Sequence, residues 1–376
     1  RRLAAATDLI SHLEKGGTDA ATLIYTADTV EGLPASAARV VELGATSSRT
    51  FLAFDTAQSE HPFAQDACPD IHDLFDLAKA LSHVRLAHQG PSFTLPSSLG
   101  FIECLGASSV DALDVERRWG EADATRSLAA TVGLASAGTP LVLDAHEAAD
   151  GPHGLVAGTT GSGKSELIIT WILSLCVSYP PDQVSFVLID YKGGGLAAAF
   201  SREGLVLPHL AGTVTNLDGS EIARSLASLK AELTRRQRIL DEAKRETGDA
   251  TMDITSYLRH YRTGDVTEPM PHLFIVADEF AELKQQEPDF MEGLISAARI
   301  GRSLGVHLVL ATQKPAGVVS DQISANSRFR VCLRVADAAD SKEMIRRPDA
   351  ARLEGPGRLL LLVGYDERYV LGQAAY

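Results

Sequence analysis

The chain has 376 residues, of which 45% are hydrophobic and 22% are charged, and its formal net charge is −14 at pH 7. This composition is that of a globular protein in water, and the length favours two domains over a single core. The longest apolar runs have the length of strands, well short of the ~18 apolar residues that a membrane helix needs. The negative charge argues against a surface that coats DNA, although a local basic channel remains compatible with it.

Cysteines and histidines show no pattern of a metal centre or a redox pair. The four cysteines (Cys68, Cys104, Cys176 and Cys332) are far apart, and none of the eleven histidines is spaced like a metal ligand. Cys176 and Cys332 lie in apolar runs, which predicts buried free thiols of the kind expected in a reducing cytoplasm. We therefore predict no structural metal.

Residues 1–90 alternate helix-like and strand-like segments. The predicted helices are Leu3–Leu13 and Asp73–His83, and the predicted strands are Ala21–Tyr25, Arg39–Leu43 and Thr50–Phe54. The segment carries no phosphate loop, acid pair or nucleophile motif, so we interpret it as a partial, degenerate α/β domain without catalytic function. Because the chain opens Arg-Arg-Leu-Ala without a starting Met, we expect it to be a fragment of a longer protein.

Residues 91–140 are rich in Gly, Pro, Ser and Ala and are interpreted as a connector with short strands. A regular alternation of strands and helices follows over 141–376. The predicted strands are Leu141–Asp144, Leu155–Ala157, Val184–Asp190, His272–Ala277, Val306–Ala311 and Phe329–Val335, and the predicted helices are Ser165–Val177, Glu221–Arg245 and Phe290–Arg302. On the long second helix, Arg235, Arg236 and Arg238 lie mostly off the apolar stripe, which favours a solvated face.

The phosphate-loop pattern G-x-x-x-x-G-K-[ST] is matched completely by Gly158-Thr-Thr-Gly-Ser-Gly-Lys-Ser165. This segment lies between a predicted strand and a predicted helix, as the pattern requires. Its glycines let successive N–H groups point at phosphate oxygens, and the helix adds its N-terminal dipole. Lys164 is predicted to reach the β- and γ-phosphates and to serve catalysis, while the Ser165 hydroxyl binds Mg²⁺. The predicted cofactors are ATP and Mg²⁺, and the predicted nucleotide-binding residues are Gly158, Thr159, Thr160, Gly161, Ser162, Gly163, Lys164, Ser165 and Glu166.

These motifs predict an α/β fold class, a RecA-like P-loop NTPase with a mostly parallel sheet, preceded by a smaller α/β segment. Polar residues follow its strands at their carboxyl ends, where open α/β sheets bind ligands. Asp278 is predicted to hold Mg²⁺ and Glu279 to polarise the attacking water. Gln313 is placed to sense the γ-phosphate, and the loop Asp190-Tyr-Lys-Gly-Gly-Gly195 brings Lys192 toward the same edge.

Two arginines, Arg299 and Arg302, flank Gly301 just before the strand at Val306. In a ring of subunits, such arginines can enter the neighbour's nucleotide site and neutralise the charge of the transition state. The alternative is a pair of surface cations, and the two arginines compete for the catalytic role.

The motifs together resemble the FtsK/SpoIIIE family of hexameric motor ATPases. Within that family they are most similar to the first ATPase module of the type VII secretion ATPases (EccC/EssC), because chromosome translocases usually carry an Asp-Pro-Lys loop where this chain has Asp-Tyr-Lys. The resemblance is dense over 140–376 and looser over 1–140. It is carried by Gly151–Glu166, Ile189–Gly195, Pro208-His209, Thr215–Leu217, Ala298–His307, Ala311–Pro315 and Gly355–Arg358.

The resemblance implies a motor module at the cytoplasmic face of the cell membrane, which uses ATP to export small helical-hairpin proteins of the WXG100 type. It also implies assembly with itself into a ring, a hexamer in the full machine, and contact with membrane components of the secretion system. One alternative is a translocase of double-stranded DNA, which the shared motifs favour and the charge of −14 opposes. Another is a scaffold that binds ATP as an assembly switch, which the intact Glu279 opposes.

Overall fold

The computed structural model describes residues 39–43, 48–52, 61–63, 95–136, 138–190, 195–202, 205–215 and 219–376, and the chain divides into two units, Arg1–His88 and Gln89–Tyr376. In the first unit β1 (Arg39–Leu43), β2 (Ser48–Leu52) and β3 (His61–Phe63) form an antiparallel sheet in that order. The prediction for β1 is confirmed, whereas β2 lies two residues before its predicted position. The helices predicted at Leu3–Leu13 and Asp73–His83 and the strand predicted at Ala21–Tyr25 lie outside the described residues.

The second unit alternates strands and helices. Its strands are β4 (Ala129–Ala135), β5 (Pro140–Asp144), β6 (Gly154–Ala157), β7 (Val184–Asp190), β8 (Ser201–Arg202), β9 (Leu205–Val206), β10 (Leu210–Val214), β11 (His272–Asp278), β12 (Val306–Thr312), β13 (Phe329–Leu333), β14 (Arg358–Val363) and β15 (Arg368–Ala374). Its helices are α1 (Phe101–Cys104), α2 (Val115–Glu121), α3 (Lys164–Ser178), α4 (Gly195–Ala199), α5 (Gly219–Thr247), α6 (Ile254–Thr263), α7 (Phe280–Gln286), α8 (Pro288–Gly301), α9 (Asp321–Asn326) and α10 (Ala338–Ile345).

Ten of the described strands form one sheet in the order β10-β7-β11-β12-β6-β13-β14-β15-β4-β5. The strands from β10 to β13 are parallel, and those from β13 to β5 pair antiparallel. Parallel neighbours need crossover connections, and these bring the carboxyl ends of β6, β7, β11 and β12 to one edge. The predicted α/β fold with a mostly parallel sheet is confirmed.

Alternate residues of the central strands enter two different cores, because successive side chains of a strand point to opposite faces. On β11, Phe274 packs with Trp171 of α3 on one face, with 5.6 Å between the ring centroids. Leu273 and Ile275 belong to the core on the other face, together with Leu294 of α8. The sheet is therefore covered on both sides, and its carboxyl edge remains the place where polar groups gather.

The predicted elements of the second unit all appear, with ends displaced by no more than two residues. The segment 91–140, interpreted as a connector, contributes α2 and β4 to this unit. No clear strand signal is present at β4, because Ala129-Ala-Thr-Val-Gly-Leu-Ala135 is rich in residues of low strand propensity. Cys176 and Cys332 are buried free thiols, as predicted.

Arg236 contradicts the interpretation of a solvated helix face. Its side chain is only 2% exposed. The guanidinium donates to the carbonyl oxygens of Leu304 at 2.8 Å and Pro271 at 2.7 Å, and its Nε lies 2.8 Å from the Glu232 carboxylate. Each donor group has an acceptor, which offsets the loss of hydration. A position off the apolar stripe is buried here because α5 lies against the amino ends of β11 and β12.

Three buried histidines, His153, His272 and His307, lie beside one another at the amino ends of β6, β11 and β12. The Nδ1 of His307 lies 3.1 Å from the carbonyl oxygen of Pro152 and must donate. Its Nε2 then accepts, so the Nδ1 of His272, at 2.8 Å, carries a proton. His153 Nδ1 accepts from the backbone N–H of Leu308 at 3.0 Å. His153 and His307 are neutral in this arrangement, and burial favours the neutral form of His272 as well.

We expect the free energy of unfolding to fall as the pH drops below about 6.5. Burial lowers the pKa of His153 to about 4 and that of His272 to about 3, and it holds the pKa of His307 well below its usual value. The unfolded chain then binds more protons than the folded chain, so this stability is complete above pH 6.5 and is lost as the pH falls toward the folded values. Each ring contributes a slope of up to about 1.4 kcal/mol per pH unit.

Urea titrations between pH 7.5 and 4.5 measure this slope. His153→Gln should make it shallower because one depressed pKa is removed. A free energy of unfolding that stays constant over this range would contradict the neutral histidine cluster.

Candidate functional site

The phosphate loop connects β6 to α3 at the carboxyl edge of the sheet. Gly161 and Gly163 have φ angles of 78° and 95°, a region that favours glycine. A Cβ atom on Gly158 would lie 2.4 Å from the Ser162 Oγ, and one on Gly163 would lie 2.8 Å from the backbone nitrogen of Gly357. The glycines that the sequence pattern requires are thus explained by backbone angles and by close packing.

The outer part of the loop is held by backbone hydrogen bonds to three neighbouring segments. Gly158 N–H donates to the Thr312 carbonyl at 3.2 Å, and Thr159 N–H donates to the Arg334 carbonyl at 2.9 Å. The Ser162 carbonyl accepts from Gly357 N–H at 2.7 Å. Helix α3 begins at Lys164, with Ser165 and Glu166 exposed in its first turn. The first N–H groups of a helix have no acceptor within it and are suited to bind phosphate.

Asp278 lies at the end of β11, and its Oδ1 forms an ion pair with the Nζ of Lys164. The Lys164 side chain is only 6% exposed and that of Asp278 17%, so water screens this pair weakly. The structure therefore places the predicted phosphate-binding lysine against the predicted Mg²⁺ ligand.

Glu279 has a left-handed backbone, with φ 56° and ψ 47°, and is 5% exposed. Its Oε1 lies 3.1 Å from the Thr312 Oγ1 and accepts the Gln313 N–H at 3.2 Å. Its buried Oε2 has no hydrogen-bond partner within the described part of the chain. Strained backbone of this kind concentrates at functional sites. One carboxylate oxygen is thus anchored, and the other is left without a hydrogen-bond partner in the described part of the chain.

Two further predicted residues lie at the same edge. The Oε1 of Gln313 accepts the Thr160 hydroxyl at 3.0 Å, which joins the phosphate loop to the end of β12. Asp190 ends β7 beside Asp278, its partner in the sheet register, and accepts the Leu196 N–H at 2.8 Å. Lys192 lies outside the described residues.

Mg²⁺ fits the two groups that the sequence predicted for it. The ion takes oxygen ligands, usually one or two carboxylates with several waters and substrate phosphates. Ser165 offers a hydroxyl in the exposed first turn of α3, and Asp278 offers a carboxylate held by Lys164 at the same edge. No group of three or more His, Cys, Asp or Glu side chains suited to hold a metal occurs in the described part of the chain.

Arg299 and Arg302 lie at the opposite edge of the sheet. They line a cavity of about 550 Å³ together with His153 and Glu147, and the Arg302 guanidinium lies 2.5 Å from the Glu147 carboxylate. β12 begins just after them and has 7 residues. At about 3.3 Å per residue, it separates them from Gln313 by roughly 23 Å. The structure therefore does not bring the two arginines to the phosphate loop of their own chain.

Sequence reasoning missed several residues that hold the site. The sequence pattern predicts no role for Thr312, which follows the predicted strand Val306–Ala311, yet its Oγ1 lies 3.1 Å from the Oε1 of Glu279. Gly357 belongs to the family motif Gly355–Arg358, but that motif does not indicate its contact with the phosphate loop. The Gly-Pro-Gly pattern is a usable signal, because it indicates a turn with positive φ angles. Gln373, whose side chain bonds that turn, carries no local signal.

A parallel sheet that carries a phosphate loop after β6 and an acid pair after β11, both at its carboxyl edge, defines a P-loop nucleotide-binding protein. Residues 115–317 match the model of the FtsK/SpoIIIE family. The chain belongs to this family, which confirms the resemblance.

Within this family, the chain is similar to proteins of type VII secretion systems. The type VII secretion system protein EssC of Staphylococcus aureus (strain NCTC 8325) is 43% identical over 355 residues, which are 94% of this chain and 23% of that protein. The ESX secretion system protein EccC of Geobacillus thermodenitrificans is 42% identical over 381 residues, covering 100% of this chain and 25% of that protein. The chain thus spans about a quarter of the length of these relatives.

The chain is also similar to a solved structure of a type VII secretion ATPase. The cytoplasmic domain of the Thermomonospora curvata type VII secretion ATPase EccC superposes with a TM-score of 0.65 at 35% identity, over 74% of this chain and 32% of that one. Within the described residues, no helix is both long and apolar enough to cross a membrane.

Proposed function

We propose that this chain is an ATP-hydrolysing motor module of a type VII protein secretion machine. The observation that carries the proposal is the convergence of Lys164, Asp278 and Glu279 at one edge of the sheet. A site that only binds nucleotide needs the lysine but has no use for a strained, anchored glutamate. The 43% identity to EssC supports protein export over the translocation of DNA.

In this proposal each side chain has one task. The N–H groups of the phosphate loop and Lys164 hold the β- and γ-phosphates, and Lys164 leaves Asp278 as ATP enters. Asp278 and Ser165 would hold Mg²⁺, and the ion would supply charge neutralisation on the phosphates. Glu279, anchored through one oxygen by Thr312 and Gln313, orients the attacking water and takes its proton through the other.

The proposal includes assembly with other copies of the chain into a ring, a hexamer in the full machine. Arg299 and Arg302 lie at the edge of the sheet opposite the phosphate loop, so in a head-to-tail ring one of them meets the neighbour's γ-phosphate. The wider partners are membrane components of the secretion system and WXG100-like substrate proteins. The module then works at the cytoplasmic face of the cell membrane.

ATP turnover per chain, measured across protein concentration with and without double-stranded DNA, tests this function. We expect slow turnover that rises with concentration, because a catalytic arginine supplied by a neighbour requires association. DNA should leave the rate unchanged. Strong stimulation by DNA would favour a DNA translocase, and ATP binding without any turnover at all concentrations would favour the nucleotide-gated scaffold.

A further inference from the structure

A glycine turn from the antiparallel half of the sheet packs directly against the phosphate loop. Gly357 N–H donates to the Ser162 carbonyl at 2.7 Å. The approach is so close that a Cβ atom on Gly163 would lie 2.8 Å from the same nitrogen. Ser162 and Gly163 are followed at once by Lys164, so the position of this turn bears on the backbone that surrounds the phosphates.

The side chain of Gln373, on β15, holds this turn in place. It is 3% exposed. Its Nε2 donates to the carbonyl of Pro356 at 3.0 Å and lies 3.3 Å from that of Ala374. Ala374 N–H in turn donates to the Gly357 carbonyl at 2.8 Å. The carbonyl groups of both Pro356 and Gly357 are therefore hydrogen-bonded to the end of β15.

Gly357 and Gln373 also fit one another sterically. Gly357 has a φ of 76°, which favours glycine, and a Cβ atom there would lie 2.5 Å from the Gln373 Nε2. The amide of Gln373 thus occupies the space that a side chain at 357 would need. Gln373 of β15 and the Gly355–Gly357 turn before β14 therefore form one packed unit, which contacts the phosphate loop at Ser162.

We propose that Gln373 is a positioning residue of the ATP site: it fixes the Gly355–Gly357 turn and, through the bond from Gly357 to Ser162, the phosphate loop. The inference rests on the proposed ATPase function and deepens it. A loop that is already ordered loses less freedom when phosphate binds, so its affinity for ATP is higher. The Gln373 amide bonds the backbone of this turn and of β15 and acts on the site through the loop, so we expect it to affect binding rather than the chemical step.

Gln373→Leu removes the amide donor and keeps most of the volume. We expect the KM for ATP, and the Kd of a fluorescent ATP analogue, to rise about three- to tenfold. The kcat at saturating ATP should stay within about twofold because Lys164 and Glu279 are untouched. Unchanged KM and Kd, or a loss of kcat alone, would overturn the inference.

The matched control is Gln183→Leu. Gln183 also uses its side chain to bond backbone, accepting the Ala124 N–H at 3.0 Å, but it precedes β7 at the other edge of the sheet. This variant should show a loss of thermal stability without a change in the KM for ATP. An equal rise of KM in both variants would mean that general destabilisation explains the effect and would overturn the role of Gln373.

A second pair of variants keeps the test decisive if Gln373→Leu does not fold. Gly357→Ala should raise the Kd for the ATP analogue because its Cβ collides with Gln373 Nε2. Adding Gln373→Ala removes that collision, so the double variant should bind better than the product of the two single effects predicts. Strictly multiplicative effects would contradict the coupling. If the wild-type chain binds the analogue but does not turn over ATP, the ATPase proposal fails while these binding comparisons still decide on Gln373.

Discussion

Glu279→Gln is expected to lower ATP turnover by a factor of about 10² to 10⁴, the usual contribution of a positioned general base. ATP affinity should stay within about twofold of the wild-type value. The amide keeps the shape of the side chain, and its oxygen can still accept from Thr312 and Gln313. It cannot take a proton from water, so the chemical step is lost while binding is retained.

Single-turnover hydrolysis and equilibrium binding of an ATP analogue separate these two effects. Glu292→Gln is the matched control, since it removes an exposed carboxylate of α8 by the same substitution and should hydrolyse ATP at the wild-type rate. Turnover of the Glu279→Gln chain near the wild-type rate would remove Glu279 from the catalytic role. The anchored oxygen would then be a structural contact only.

Mixing two inactive variants should restore ATP turnover if the catalytic arginine acts between subunits. Lys164→Ala should abolish turnover and weaken ATP binding, because its ammonium contacts the phosphates. Arg302→Ala should abolish turnover and spare ATP affinity, since an arginine of this kind stabilises the transition state and is worth about 10³ to 10⁵ in rate. In a mixed ring, an intact phosphate loop of one variant meets the intact Arg302 of the other.

The same mixture with Arg299→Ala identifies which of the two arginines acts. The structure motivates the test because β12, about 23 Å long, lies between both arginines and Gln313. Arg262→Ala is the control: its guanidinium pairs with Asp123 at 2.6 Å on the surface, and its loss should leave turnover unchanged. Absence of rescue at any ratio, for both arginines, would contradict catalysis between subunits, and wild-type turnover in the Lys164→Ala chain would contradict the site itself.

Local patterns in the sequence were sufficient to predict the central elements and which polar residues lie at the carboxyl edge of the sheet. The phosphate loop is contiguous, from Gly158 to Ser165, and its glycines are demanded by the backbone of that same segment. Asp278 and Gln313 follow apolar runs of strand length, and parallel topology brings the ends of such strands together. Each of these inferences needed only a short stretch of chain and one general rule.

Contacts between distant segments were decided by the tertiary structure alone. Gln373 supports a loop about two hundred residues earlier because β15 pairs with β14 in one register, and a shift of one residue would turn its side chain to the other face. Arg236 is buried because α5 packs against the carbonyl groups of Leu304 and Pro271. The apolar periodicity of α5 does not reveal this contact. Local sequence set the geometry of the loop Gly158–Ser165, because its glycines act on their own backbone. Packing and strand register determined which remote side chains hold that loop in place.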